Sequence, residues 1–154
     1  MCTAVSFKAY SHYFGRNLDI DRDYGEVITI TPRNFHLEFR MADSVKHHPA
    51  IIGTAAVVND YPLYFDGTNE YGLSMAGLNF PENAHYNRVC QGKENIAPFE
   101  FIPWVLSQCR DISDVKALLE NINIAFLFLV NFVLPCLKNR PNEDSLLVIL
   151  NFEF

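Results

Sequence analysis

A change of hydrophobic period divides this chain and limits the folds open to it. Through about residue 80 the apolar residues fall in short alternating or β-branched runs broken by turns; from Pro98 they recur at helical spacing. Cys2–Phe7 and Tyr13–Asp19, separated by a polar turn at Ser11 and His12, predict a hairpin that carries Cys2 close to the second strand. Val27–Thr31 is β-branched and stops at Pro32, Phe35–Phe39 alternates, and Ile51–Val58 is a nearly continuous apolar run that fits a buried strand. Asp66-Gly67 reads as a turn, and the Gly- and Ala-rich run Tyr71–Asn79 as a strand under a site, since small side chains admit a ligand or another backbone. Beyond Pro98, a residue suited to a first helical turn, Phe99, Ile102, Val105 and Leu106 form one apolar stripe. Ser113 reads as the N-cap of a helix over Asp114–Asn121. Strands in one block and helices in the next predict a layered α+β protein. The second strand block and helix block that would complete a sandwich are missing.

The chain's 154 residues, 49% of them hydrophobic, suffice for one domain with a core and are too few for two. Its formal net charge is −6, and its twelve basic residues are scattered apart from Lys46-His47-His48, which argues against nucleic-acid binding. The opening residues lack a cationic region followed by an apolar stretch, so the expected location is cytoplasmic, with no membrane partner. Four cysteines (2, 90, 109 and 136) show no CxxC pairing and no zinc-finger spacing, and read as free thiols.

Cys2 carries the chemistry. Removal of Met1 would leave its thiol and its α-amino group on the first residue, a nucleophile beside its own base. An α-amine titrates at about 7.7–8.0 and accepts a thiol proton that a lysine amine would not. This is the chemistry of an N-terminal nucleophile hydrolase, although a Cys at position 2 taken alone carries no such meaning. Arg16 and Asp19 are three residues apart, so a regular strand would send them to opposite faces. With a bend or bulge after Asn17 both would reach Cys2, Arg16 favouring the thiolate by its fixed charge and Asp19 orienting the α-ammonium. Their plainer reading is a surface Arg and a turn Asp.

Met-Cys-Thr at the start, Tyr13-Phe-Gly-Arg-Asn-Leu-Asp19, Thr31-Pro-Arg-Asn-Phe35, Asp60-Tyr-Pro62, Asp66-Gly67 followed by Asn69-Glu-x-Gly-Leu73, and Ala76-Gly-Leu-Asn-Phe-Pro81 resemble, in order and spacing, the conjugated bile acid hydrolases of the choloylglycine hydrolase family. Phe99–Leu106 and the helix ending near Asn123 continue the likeness, which covers residues 1–123. The resemblance implies the N-terminal half of a four-layer αββα sandwich, and cleavage of the amide joining a bile acid to glycine or taurine. It implies Cys2 as nucleophile, its freed amine as base, Arg16 and Asp19 as supports, and Asn79 as an oxyanion-hole donor. Loss of one such donor typically slows a reaction about 100- to 1,000-fold. Asn79 also favours bile salts over penicillin V, because related penicillin V acylases commonly carry Tyr there. Ile20 suits a steroid-binding floor or a plain core position. The resemblance implies a homo-oligomer, tetrameric in the family, and the absent second half weakens that implication for this chain.

Two other patterns fail. Asp19-Ile-Asp21-Arg-Asp23 opens like a calcium-binding loop, but Tyr24 stands where Gly is needed and Ile30 where Glu is needed. His47 and His48 point apart on extended chain and have no third ligand, so a loop before Pro49 is expected. No motif implies a cofactor or metal, and Cys90 and Cys109 read as incidental or structural. Residues 124–154 depart from the family pattern. Ile124–Leu134 is an apolar run too short for a bilayer, which needs roughly 20 residues, and it reads as buried structure or as the product of a shifted frame. Asn139-Arg140-Pro141 matches neither of the further catalytic residues of the family. Three functions remain: a bile acid amidase, a penicillin V acylase-type amidase, and an inactive fragment of such an enzyme.

Overall fold

The computed structural model describes residues 2–20, 23–79, 86–125 and 146–149; for Asn79 and residues 146–149 it describes the backbone alone. Phe80, Pro81, the Asp21-Arg22 pair of the calcium-loop-like run and most of the 124–154 tail, with Pro135 and Asn139-Arg140-Pro141, lie outside the described residues.

Strands β1 (Thr3–Lys8) and β2 (His12–Asn17) form an antiparallel hairpin in which Ala4 faces Arg16 and Ser6 faces Phe14. β3 (Val27–Thr31), β4 (Ile51–Val58), β6 (Asp66–Asn69), β7 (Ser74–Asn79) and β10 (Leu146–Ile149) make an antiparallel sheet in the order β10-β7-β6-β4-β3. β5 (Tyr61–Tyr64) pairs with β4 alone. β4 and β5 are joined by a two-residue turn whose Asn59 and Asp60 both have positive φ, 51° and 61°, the conformation that matches strand twist and that Asn and Asp tolerate. β8 (Glu94–Ile96) runs parallel to β9 (Ile122–Ile124), and between them lie the helices α1 (Phe101–Leu106), entered through a 3-10 turn at Pro98–Glu100, and α2 (Ile112–Leu119).

Side chains alternate across the main sheet, so the register divides it into two faces. Ile51, Ala55, Tyr64 and Met75 share the face that packs with Phe101, Ile102, Trp104, Val105 and Leu106 from α1 and Val115 from α2, and this is the core. Asn69 stitches that face to the helix end: its amide donates to the Leu106 and Cys109 carbonyls (3.0 and 2.8 Å), and its oxygen accepts from the Tyr71 and Leu73 amides. The other face carries Ile28, Ile30, Ile52, Thr54, Asp66 and Thr68, and the β1–β2 hairpin lies across part of it. The order is therefore hairpin, sheet, helices, an α+β arrangement. Ile28, Ile30 and Ile52 stay largely exposed beyond the hairpin, and so do Val5, Phe7 and Tyr13 on its outer side.

Several elements differ from the sequence reading. Phe35–Phe39 forms a single bridge, Leu37 with Val45, because His48 Nε2 donates to the Phe35 carbonyl and the chain curls around that buried ring. Asp66-Gly67 opens β6 instead of making a turn. The cap of α2 is Asp111, whose carboxylate accepts the Ser113 and Asp114 amides at 2.8 and 3.0 Å, so the helix starts two residues earlier than Ser113 would set it.

Candidate active site

The hairpin register builds the site. Ala4 opposite Arg16 means that both side chains leave the hairpin on one face, and Cys2, two residues before Ala4, continues that row. This is the face turned to the main sheet, and the thiol is buried, 5% exposed. β2 ends at Asn17, and the chain beyond it leaves the strand path. The Asp19 carbonyl lies 3.5 Å from Cys2 Sγ and accepts its S–H; the residue itself is exposed.

The Arg16 side chain is 6% exposed. Its Nη2 donates to the Gly77 carbonyl on β7 at 2.5 Å, and its Nε faces Asp66 Oδ2 at 3.7 Å. Nε and Nη1 are buried without a hydrogen-bond partner among the described residues. The guanidinium thus ties the hairpin to β7 and β6 on the wall of a cleft of about 330 Å3, lined by Phe14, Arg16 and Leu18 from the hairpin side and Ile52, Thr54 and Asp66 from the sheet. Leu18 lines that cleft; Ile20 is half-buried just beyond it in the chain. The backbone of Asn79 closes β7, two residues past Gly77 and opposite Leu146.

Sequence reasoning took Asp66 as a turn residue of the family motif, with no role in the site, and did not single out Gly53. β4 hands its pairing over from β5 to β6 between Ala55 and Ile52, and at that break the Thr54 amide is accepted by Asp66 Oδ1 at 2.9 Å. A Cβ on Gly53 would stand 2.1 Å from the Asp66 carbonyl oxygen and 2.6 Å from Gly67 Cα, so only glycine lets the strands approach there. The other polar groups lie apart from this cleft. His47 Nδ1 meets Asn34 Oδ1 at 2.9 Å, and His48 has both ring nitrogens 2.7 Å from backbone carbonyls, of Phe35 and Pro49. No group of three His, Cys, Asp or Glu side chains that could hold a metal occurs among the described residues, and no helix of theirs is long and apolar enough to cross a membrane. Cys90 is exposed and Cys109 buried; burial, with Asp114 and Asp111 nearby, pushes the Cys109 thiol up to about 11.

The model of the linear amide C–N hydrolases, choloylglycine hydrolase family, matches residues 2–136. This chain belongs to that family. It is 48% identical over 124 residues to the bile salt hydrolase/transferase of Lactiplantibacillus plantarum, covering 80% of this chain and 38% of the relative. It is 45% identical over 127 residues to the conjugated bile acid hydrolase of Lactobacillus gasseri, covering 80% and 40%. A crystal structure of a mutant conjugated bile acid hydrolase from Clostridium perfringens superposes with a TM-score of 0.76 at 35% identity, over 82% of this chain and 40% of that one. The family member described here spans about two fifths of the length of the curated relatives it matches. Its helices, sheet and hairpin are accordingly part of the family's αββα sandwich.

Proposed function

We propose that this chain carries the nucleophile-bearing portion of an amidase acting on glycine- or taurine-conjugated bile acids. The observation that carries the reading is the position of Cys2: a buried thiol at the start of the hairpin, on the same face as an almost fully buried Arg16, in a family of linear amide C–N hydrolases. The relatives named as bile salt and conjugated bile acid hydrolases support the substrate class.

In this mechanism Met1 is removed and the Cys2 α-amine takes the thiol proton. The thiolate attacks the amide carbonyl, and the Asn79 amide donates to the oxyanion. As the tetrahedral intermediate collapses, the α-ammonium protonates the departing glycine or taurine amine. The bile acid is left as a thioester on Sγ, and water, deprotonated by the same amine, releases it and restores the thiol. Arg16 favours the anionic sulfur, and Asp19 orients the ammonium. Ile20 and Leu18 give the substrate's apolar body a surface near the hairpin. The work belongs in a reducing cytoplasm, where Cys2, Cys90 and Cys109 persist as thiols.

Release of cholate from glycocholate and of phenoxyacetate from penicillin V, followed side by side with a Cys2→Ser control, tests this. Cys2-dependent cleavage of glycocholate in excess over penicillin V is expected. Preference for penicillin V would move the reading to an acylase, and cleavage that survives Cys2→Ser would remove the nucleophile from it.

A further inference from the structure

Asp66 has a geometry that its place at the start of β6 does not require. One carboxylate oxygen is fixed by the Thr54 amide at 2.9 Å, in the gap where β4 changes partners, and the other faces Arg16 Nε at 3.7 Å. The carboxylate is itself mostly buried, at 13% exposure, and Gly53 keeps the strands close enough for the Thr54 contact. On the far side the Gly77 carbonyl takes Arg16 Nη2. A guanidinium is a rigid planar fork, so a hydrogen bond at one terminal nitrogen and an ion pair facing its Nε edge together limit where the other terminal nitrogen lies. That nitrogen, Nη1, is buried like Nε, and neither has a hydrogen-bond partner among the described residues.

We propose that Asp66 is a positioning residue for Arg16: anchored by the Thr54 amide, its carboxylate opposes the guanidinium at 3.7 Å while the Gly77 carbonyl holds Nη2, so that the side chain keeps its direction along the cleft wall on the hairpin face that carries Cys2. This rests on the assignment of Cys2 and Arg16 made above, and adds to it the group that acts through Arg16. The carboxylate does two separable things. It accepts from Thr54, which holds strands together, and it opposes the guanidinium, which orients the side chain. Asp66→Asn keeps the first, since an amide oxygen still accepts the Thr54 N–H. It destroys the second by turning an NH2 group toward the guanidinium donors.

The test uses the whole chain with Cys90→Ser and Cys136→Ser as background. Two signals are read: hydrogen exchange of the Arg16 Nε–H by 15N NMR, and the rate of Cys2 alkylation by iodoacetamide at pH 7. In the parent the Nε–H is protected. In Asp66→Asn exchange quickens by about tenfold or more and alkylation slows by roughly threefold, the order expected for losing one opposing charge. In an Arg16→Met background Asp66→Asn changes alkylation no further. An Nε–H that exchanges like that of free arginine in the parent overturns the positioning role without any variant, and so does exchange unchanged in Asp66→Asn, or the same alkylation loss with Arg16 absent. If the Nε–H responds to Asp66→Asn while Arg16→Met leaves alkylation untouched, the positioning of Arg16 stands and its assignment as support of the Cys2 thiolate fails.

Discussion

The thiols of this chain sit in surroundings that set them apart. Cys109 lies in the core beside two carboxylates that, with burial, hold its thiol up near 11, so it stays protonated and shielded. Cys90 is exposed, and its Sγ lies 3.7 Å from the Gln91 carbonyl. Alkylation mapped by peptide mass at pH 8 is expected to modify Cys90 and leave Cys109 unmodified until the chain is unfolded in urea. Early labelling of Cys109 would contradict the packing around α1. Cys2 was legible because position 2 and the spacing to Arg16 and Asp19 are matters of sequence. Asp66 was not, because Asp-Gly is the commonest of turn signals and only the strand exchange beneath Thr54 turns it into an anchored carboxylate. The direction of the Arg16 side chain, toward Gly77 and Asp66, depends on β7, sixty residues away, and no local pattern encodes it.

At the scale of elements, two short contacts decide how strands and helices meet. Gly53→Ala would force β4 away from β6, with backbone atoms and no flexible side chain in the path of the new methyl. A loss of about 3 kcal/mol or more is expected by urea unfolding, the upper end for overpacking, and a neutral result would show that the strands part freely. Asn69→Ala removes the partner of two carbonyls at the end of α1 and of two amides in the following turn. The loss should be about 3 kcal/mol, as buried groups are left unpaired, and Asn69→Asp should not restore it, since a carboxylate cannot donate to the carbonyls. Strands with plain alternation or β-branched runs, β1 through β4, were readable. β5 was hidden by Pro62, which an edge strand tolerates when its missing N–H faces no partner. The α2 start was misplaced because Asp111 and Ser113 are both good caps, and the competition is settled by which one adopts extended backbone.

Among the described residues the main sheet has one helix-covered face, and another that the hairpin covers in part. The molecule's α+β class was readable from the blockwise change of period, whereas the apposition of hairpin on sheet was not, since it rests on long-range contacts such as that of the Arg16 guanidinium with Gly77 and Asp66. Below the core, Glu100 is buried against Arg40, whose backbone amide and guanidinium both donate to it. Burial outweighs these contacts and holds its carboxyl above the ordinary carboxylate range. The folded state therefore keeps this proton where the unfolded chain has lost it, and the Glu100 contribution to stability declines as pH rises from the ordinary carboxylate range to the raised value. Urea unfolding across that window should show the decline in the parent and its absence in Glu100→Gln. An identical slope in both would assign the pH dependence elsewhere, with Glu70, held low by Arg33, contributing in the opposite direction.

The central claim is that Cys2 becomes the first residue and acts as the nucleophile toward a bile acid amide. Intact mass of the purified chain after incubation with a thiol-reactive analogue of a conjugated bile acid tests it most directly, with Cys2→Ser alongside. The account predicts a chain short of one methionine that gains a single adduct, absent from Cys2→Ser. A chain that keeps Met1 and gains no adduct, or one whose adduct persists in Cys2→Ser, would contradict it.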